Sequence, residues 1–202
     1  MTIPVVSIVG KGDSGKTTFL EKLIRELAAR GVHVATAKHH VHDYDIDVPG
    51  KDSWRHARAG ATTTMVSSPD KFALIAKVER EYTLPELATI AADNGADILL
   101  TEGFKQEATT RIEIARRARS ESLISAPEEL IALVTDMPEL APNGVPTFAL
   151  DEATAVADLV CTRYPEVVSG GGPARSSAGA EGDEDCLSTG PPPGATSDRQ
   201  VV

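Results

Sequence analysis

The residues with the most specific chemistry lie in one run near the start of the chain. Gly10, Gly15, Lys16 and Thr17 fill the fixed positions of the pattern G-x-x-x-x-G-K-[ST]. In such a loop, backbone N–H groups point towards a phosphate, the lysine reaches the β- and γ-phosphates, and the hydroxyl ligates Mg²⁺. The run therefore predicts a nucleoside triphosphate site in which Lys16 also serves catalysis. We assign phosphate binding to Gly10, Lys11, Gly12, Asp13, Ser14, Gly15, Lys16, Thr17 and Thr18.

Two alternatives concern this same loop. Gly10, Gly12 and Gly15 also fit the dinucleotide fingerprint G-x-G-x-x-G. That fingerprint gives the lysine and the hydroxyl no role, and it expects an acidic residue about 20 positions further on. Lys11 lies where one subclass of these loops carries a second lysine that reaches a nucleotide across a dimer interface; a solvated surface lysine is the other interpretation. The sequence favours a triphosphate and leaves the role of Lys11 open.

A second candidate is the acidic residue that ends an apolar run. Residues 97–101 predict a buried strand, and Glu102 follows it directly, with Gly103 next. In phosphate-binding α/β folds, a carboxylate at this place faces Mg²⁺ (the Walker B arrangement), and glycine lets the chain turn close to a ligand. Many α/β strands end in an acid that has no such role. We predict that Glu102 acts in catalysis, as a ligand of Mg²⁺ or as the group that holds the attacking water.

The stretch from residue 38 to 51 is rich in potential ligands. Its histidines and aspartates are His39, His40, His42, Asp43, Asp45 and Asp47. A transition-metal site is one interpretation, but neighbouring side chains of an extended segment point apart and no cysteine accompanies them. Because doubly wound folds bind ligands beyond the carboxyl ends of their strands, we favour a role beside the phosphate loop. We predict that Asp47 ligates Mg²⁺ and that Asp45 orients the attacking water, with solvated loop charge as the alternative.

Recognition of the base is weakly marked. The N-K-x-D sequence of common guanine readers is absent, but Asp136 follows a predicted strand at 130–134 and could accept hydrogen bonds from guanine N1–H and N2–H₂. A helix N-cap is the other interpretation of Asp136. Near a predicted helix start, Lys51, Ser53 and Arg55 offer positive charge and a hydroxyl to a further phosphate group.

Alternating strand and helix patterns supply the scaffold for these residues. Apolar runs rich in β-branched residues predict strands at 3–9, 32–37, 62–67, 72–78, 97–101, 111–115, 130–134 and 147–150. Apolar spacing of three and four predicts helices at 17–30, 52–59, 84–93 and 151–164. Together they predict an α/β fold of the P-loop NTPase type, with a mainly parallel, doubly wound sheet and flanking helices.

Composition divides the 202-residue chain into two parts. The net charge of −10 is distributed unevenly, with +1 on residues 1–120, −8 on 121–168 and −3 on 169–202. We predict a nucleotide-binding domain at 1–168 and a disordered tail at 169–202, because the Gly-, Pro- and Ser-rich, acidic tail has too few apolar residues to fold. The acidity argues against a nucleic-acid partner, and no apolar run is long enough to span a membrane. The two cysteines fit a reduced, cytoplasmic setting.

Taken together, these motifs resemble one family. The segments that carry the likeness are residues 10–18, Lys38-His39-His40, Asp45-Ile46-Asp47, Gly50-Lys51-Asp52-Ser53, Arg58-Ala59-Gly60-Ala61 and Glu102-Gly103-Phe104-Lys105. In this order they resemble the molybdopterin-guanine dinucleotide biosynthesis protein B (MobB) family over roughly residues 3–165. The Gly-Lys-Asp-Ser and Glu-Gly-Phe-Lys runs are the most specific parts.

The resemblance implies a GTP-binding accessory protein of molybdenum-cofactor biosynthesis, with weak, Mg²⁺-dependent GTP hydrolysis and a homodimeric state. It also implies a partner, the MobA-like guanylyltransferase that joins GMP to molybdopterin. On this chain it places the triphosphate on residues 10–18 and Mg²⁺ near Glu102. The residues it implies for the same cleft are Asp45, Asp47, Lys51 and Asp52.

Two other classes of function stay open on the residues alone. A small-molecule kinase would use the same loop, with Arg55 or Arg58 guiding the phosphoryl acceptor, and its ADP production would depend on that acceptor. A nucleotide-gated metal chaperone would use His39, His40 and His42 and would bind metal stoichiometrically. Slow GTP hydrolysis without an acceptor distinguishes the accessory factor from both.

Overall fold

The computed structural model describes residues 2–39, 46–104 and 110–169. The strands are β1 (Val5–Val9), β2 (Val34–Lys38), β3 (Thr63–Ser67), β4 (Phe72–Ala76), β5 (Ile98–Glu102), β6 (Arg111–Ala115), β7 (Leu130–Thr135) and β8 (Thr147–Phe148). The helices are α1 (Lys16–Ala29), α2 (Asp52–Arg58), α3 (Leu84–Asp93) and α4 (Ala153–Arg163). Every predicted strand and helix is present, with ends that differ from the prediction by at most two residues.

Six strands form one parallel sheet in the order β2-β5-β1-β6-β7-β8. From β1 the chain runs to the β2 edge, returns to β5, and then crosses β1 to reach β6 on its other side. The carboxyl ends of β5, β1 and β6 therefore meet at one edge. Open parallel sheets bind ligands at this edge, where the strand order reverses. The predicted parallel, doubly wound sheet is confirmed.

Helices pack on both faces of this sheet. On one face, α1 and α4 pack on the strands through fully buried residues such as Leu23 and Val156. On the other face, α3 packs near β5 through small residues such as Ala92. Strand residues between these layers, Ile8 and Leu100 among them, have no exposed surface. Burial of one such side chain stabilises the fold by about 1.5–3 kcal/mol, so the strands that carry the site form a rigid base for it.

A capping box begins α3. The N–H of Thr83 donates to Glu86 Oε2 at 2.9 Å, and Arg80 Nη1 donates to the same oxygen at 2.8 Å. Pro85 occupies the first turn of the helix, where its missing N–H leaves no hydrogen bond unmade. The Arg80 guanidinium first, and then the hydrogen bonds from Thr83, hold the pKa of Glu86 well below its usual range.

The strands β3 and β4 form a separate antiparallel hairpin outside the main sheet. Thr64 of β3 is buried. On the opposite face, Met65, Phe72 and Leu74 are 62%, 63% and 54% exposed. The register pairs Met65 with Leu74 and puts Phe72 on the same face, so these three side chains form one apolar surface, here called the hairpin patch.

Several predictions concern residues 40–45, 105–109 and 170–202, which lie outside the described residues. They include the roles of Asp45 and of two histidines, and the tail. Of the two cysteines, Cys186 lies outside the described residues, and Cys161 on α4 is a free thiol whose pKa is raised by burial. Among the described residues, no helix combines the length and the apolar character needed to cross a membrane.

Candidate functional site

The phosphate loop joins β1 to α1 at the carboxyl edge of the sheet. At Gly10 (φ +150°), an added Cβ would lie 2.4 Å from the Ile114 carbonyl oxygen and 2.8 Å from Ser14 Oγ, so only glycine fits. Gly15 (φ +93°) is the N-cap of α1, and Asp13 also has a positive φ, of 55°. Left-handed residues of this kind bend the chain so that successive N–H groups converge into an anion-binding concavity.

Lys16 lies in the first turn of α1 and reaches back across the loop. Its Nζ donates to the Lys11 carbonyl oxygen at 2.8 Å. The first turn of α1 contains no acidic residue, so nothing in that turn offsets the partial positive charge of the helix N-terminus. The loop thus combines an ammonium group, backbone N–H donors and a helix N-terminus, which is the combination that binds a polyphosphate.

Thr17 and Glu102 are brought together although 85 positions separate them in the sequence. The Thr17 hydroxyl donates to both carboxylate oxygens of Glu102, at 3.0 Å each. Lys38 Nζ lies 4.0 Å from Glu102 Oε1, and only 12% of the Glu102 side chain is exposed. A hydroxyl and a carboxylate are hard oxygen donors, the type that Mg²⁺ prefers, so this pair fits the predicted metal.

Gly103 turns the chain sharply after Glu102. Its φ is +105°, and an added Cβ would lie 3.2 Å from the His39 carbonyl oxygen. The His39 ring packs against Phe104 with centroids 5.2 Å apart, and its Nε2 lies 3.1 Å from Glu81 Oε1. Within residues 2–39, 46–104 and 110–169, no group of three His, Cys, Asp or Glu side chains is placed to hold a metal ion.

Three other predicted residues lie at or near the start of α2. Lys51 is the N-cap of α2 and Asp52 lies in its first turn, and both are exposed. Asp47 Oδ1 accepts the Val48 N–H at 2.8 Å, and Asp47 lines a cavity of about 510 Å³ bounded by α2 and the hairpin. In the described part of the chain, no hydrogen bond joins these three residues to the phosphate loop or to Glu102, so their roles stay predictions.

Asp136 connects the ends of two neighbouring strands. Its Oδ1 accepts the backbone N–H of Arg117 at 2.7 Å, which ties the end of β7 to the end of β6. The next 3₁₀ turn, Pro138–Leu140, has Met137 as its N-cap, so the N-cap interpretation of Asp136 is wrong. The exposed carboxylate lies at the same edge of the sheet as the phosphate loop, and its role with the base stays a prediction.

Arg116 also belongs to this neighbourhood, although no sequence motif singles it out. It directly follows β6, and a Cβ added to Gly15 would lie 3.8 Å from both Cδ and Nη1 of Arg116. A signal for it existed, because Arg116 follows a predicted strand just as Glu102 does. What the sequence did not provide was the strand order that places β6 next to β1.

Comparisons with known proteins find relatives over most of the chain. Residues 5–136, which include the phosphate loop and Glu102, match the family model described as Molybdopterin guanine dinucleotide synthesis protein B. A Haemophilus influenzae molybdopterin-guanine dinucleotide biosynthesis adapter protein is 37% identical over 136 residues, which cover 67% of this chain and 76% of the relative. An Escherichia coli protein of the same name is 38% identical over 141 residues, covering 67% and 80%.

Solved structures of the same family share the fold of this chain. The crystal structure of Bacillus subtilis MobB matches with a TM-score of 0.62 at 29% sequence identity, covering 80% of this chain and 98% of that one. The sequence relationship and the shared fold lead to the same conclusion: the chain belongs to the MobB family of molybdopterin guanine dinucleotide synthesis proteins.

Proposed function

We propose that the protein binds GTP with Mg²⁺ and acts as an adapter in the biosynthesis of molybdopterin-guanine dinucleotide. Family membership and the adapter names of the relatives support the pathway. The observation that carries the nucleotide part is the contact between the Thr17 hydroxyl and the Glu102 carboxylate beside a complete phosphate loop. Every group named in this proposal belongs to residues 1–168, which we propose as the nucleotide-binding domain. We also propose that the protein acts in the cytoplasm.

Each part of the site has a separate task in this proposal. The backbone N–H groups of residues 10–18 surround the phosphates, and the Lys16 ammonium neutralises the β- and γ-phosphate oxygens. Thr17 and Glu102 hold Mg²⁺, which supplies further positive charge to the same oxygens. Asp136 reads the guanine base, and Asp47 is a further candidate for the metal.

Weak hydrolysis is consistent with the surroundings of Glu102. Its carboxylate accepts hydrogen bonds from the Thr17 hydroxyl, and the Lys38 ammonium lies 4.0 Å from it. In the described ranges no second carboxylate is hydrogen-bonded beside it to orient water; the candidate for that task, Asp45, lies outside them. An adapter that delivers a nucleotide to a guanylyltransferase of the MobA type needs slow hydrolysis, because fast turnover would consume the nucleotide before transfer.

A homodimer is part of the same proposal, and the hairpin patch supports it. Met65, Phe72 and Leu74 give one contiguous apolar surface on a two-stranded ribbon, which by itself is marginally stable in water. Exposed apolar surfaces of this kind mark protein interfaces. We assign the hairpin patch to the contact between two copies of the chain. In such a homodimer, Lys11 is the residue to test for contact with the nucleotide bound by the other copy.

Calorimetry with GTP and ATP, each with and without Mg²⁺, tests the nucleotide proposal. We expect one site per chain, a preference for GTP, and weaker binding without Mg²⁺. Equal affinity for the two nucleotides would overturn guanine selection, and no binding of either would overturn the nucleotide site. Rapid ADP formation that depends on an added acceptor would identify a small-molecule kinase instead.

A further inference from the structure

Arg116 approaches the phosphate loop from the side opposite to Glu102. β1 carries the loop and lies between β5, which ends in Glu102, and β6, which Arg116 follows. Both Cδ and Nη1 of Arg116 would be 3.8 Å from a Cβ on Gly15, so the stem and the guanidinium of Arg116 lie beside the loop. The loop therefore has the candidate metal pair on one side and a guanidinium on the other.

The backbone of Arg116 is held firmly in this position. Its carbonyl oxygen accepts hydrogen bonds from the N–H groups of Arg119 and Ser120, both at 2.8 Å. The next N–H, that of Arg117, donates to Asp136 Oδ1. Three hydrogen bonds thus fix the turn after β6, so the guanidinium starts from a fixed point at the edge of the sheet.

The neighbouring arginines differ in their partners. Arg117 pairs with Glu139, and at the start of β6 Arg111 Nη1 lies 2.6 Å from Glu129 Oε2. Arg116 is exposed, and in the part of the chain that the structure describes no carboxylate forms an ion pair with it. An arginine that is held beside an anion-binding loop, with no carboxylate paired to it among the described residues, is suited to an anion that comes from a ligand.

We infer that Arg116 is a phosphate-binding residue that contacts the nucleotide from the β6 side of the loop. This inference rests on the proposed nucleotide site. The planar guanidinium offers two parallel N–H donors to a pair of phosphate oxygens, which a lysine ammonium does not. Because Arg116 reaches the loop from the β6 side, its guanidinium adds to the affinity for the phosphates.

The test uses calorimetry on the full chain with three probes: GTP with Mg²⁺, GDP with Mg²⁺, and inorganic tripolyphosphate, which has neither base nor ribose. For Arg116→Ala we expect affinity to fall about tenfold for all three probes, equivalent to about 1.4 kcal/mol. Arg116→Lys restores part of this loss. Arg119→Ala, which removes another exposed arginine from the same turn, is the matched control and binds like the wild type. GTP turnover is measured on the same variants.

Each contrary result has a distinct meaning. Wild-type affinity of Arg116→Ala for all three probes, with the wild type binding normally, overturns the role of Arg116 and leaves the nucleotide site intact. A loss confined to GTP and GDP shows contact with the base or ribose and overturns a phosphate contact. A large loss of turnover at unchanged affinity makes Arg116 a catalytic residue and also overturns the inference. Absence of binding by the wild type overturns the proposed function itself, and the inference with it.

Discussion

The strand β6, which ends at the carboxyl edge of the sheet, and the strand β4 of the hairpin are both five residues long and both end in Ile-Ala. They nevertheless lie in opposite environments. All five residues of β6 are buried, whereas all five of β4 are exposed. β6 has a strand on each side and belongs to a sheet covered on both faces; β4 pairs only with β3 among the described strands. The coverage of a strand by its neighbours, and not its composition, decides its burial.

This difference separates the two tasks that we propose for the molecule, nucleotide binding and self-association. At the sheet edge, Lys16, Thr17 and Glu102 belong to one chain and lie at the ends of largely buried strands. The hairpin patch presents apolar side chains that one chain leaves in water, at a free-energy cost of about 25 cal/mol per Å² of apolar surface. We therefore expect variants of the sheet edge to change nucleotide binding alone and variants of the hairpin to change association alone.

The largest effect is expected from Lys16→Ala. Removing the ammonium should weaken GTP binding by about 100-fold or more, equivalent to about 2.7 kcal/mol, because the triphosphate loses its main counter-charge. Calorimetry measures the affinity, and analytical ultracentrifugation should show unchanged association. Lys22→Ala, on the same helix, is the control and should bind GTP normally. An unchanged affinity of Lys16→Ala would contradict the assignment of the loop.

The second effect concerns the hairpin patch. The double variant Phe72→Ser and Leu74→Ser should raise the dissociation constant of the homodimer at least about 30-fold, or about 2 kcal/mol, because each copy loses two apolar contacts. Sedimentation across a concentration series gives this constant. Ile90→Ser removes an apolar side chain of similar exposure from α3 and should not change association. A double variant that stays dimeric at wild-type affinity would show that the interface lies elsewhere.

Within the sheet edge, Glu102→Gln tests the metal assignment. The amide keeps the shape and an acceptor oxygen but loses the charge, so GTP hydrolysis and the apparent affinity for Mg²⁺ should each fall about tenfold, with the fold intact. Phosphate release measured over a range of Mg²⁺ concentrations gives both values. Glu21→Gln, on the exposed surface of α1, is the control. Normal turnover of Glu102→Gln at low Mg²⁺ would contradict the metal-binding role of Glu102.

The parts of the site that the sequence could predict are those set by local geometry or by a general property of parallel sheets. The loop from Gly10 to Thr17 is local, since its glycines and its lysine are fixed by their spacing. The contact of Thr17 with Glu102 is distant in sequence, but it follows from the rule that carboxyl ends of parallel strands share one edge.

The parts that escaped prediction depend on which strands become neighbours. Arg116 lies beside Gly15 because β6 is next to β1, an arrangement set by packing across the whole sheet. The exposure of Leu74 could not be seen either, because an apolar run reveals a strand but not whether anything covers it. The sequence leaves two roles open for Asp136, and its hydrogen bond to the Arg117 N–H depends on the neighbouring ends of β6 and β7.

The smallest effect is expected at Glu86, in the first turn of α3 after the hairpin. Arg80 and Thr83 donate hydrogen bonds to its carboxylate. The pKa of Glu86 is lowered, first by Arg80, so its charged form stabilises the folded state above the unfolded-state pKa of about 4.3. This contribution is lost as the pH falls from that value towards the lower, folded-state pKa. Glu86→Gln should therefore lower the thermal midpoint slightly at pH 7 and have less effect at pH 3, and added salt should reduce the difference, because the pair is exposed. Scanning calorimetry measures both midpoints, with Glu79→Gln as the control; an equal effect at both pH values would mean that Glu86 acts through packing and not through its charge.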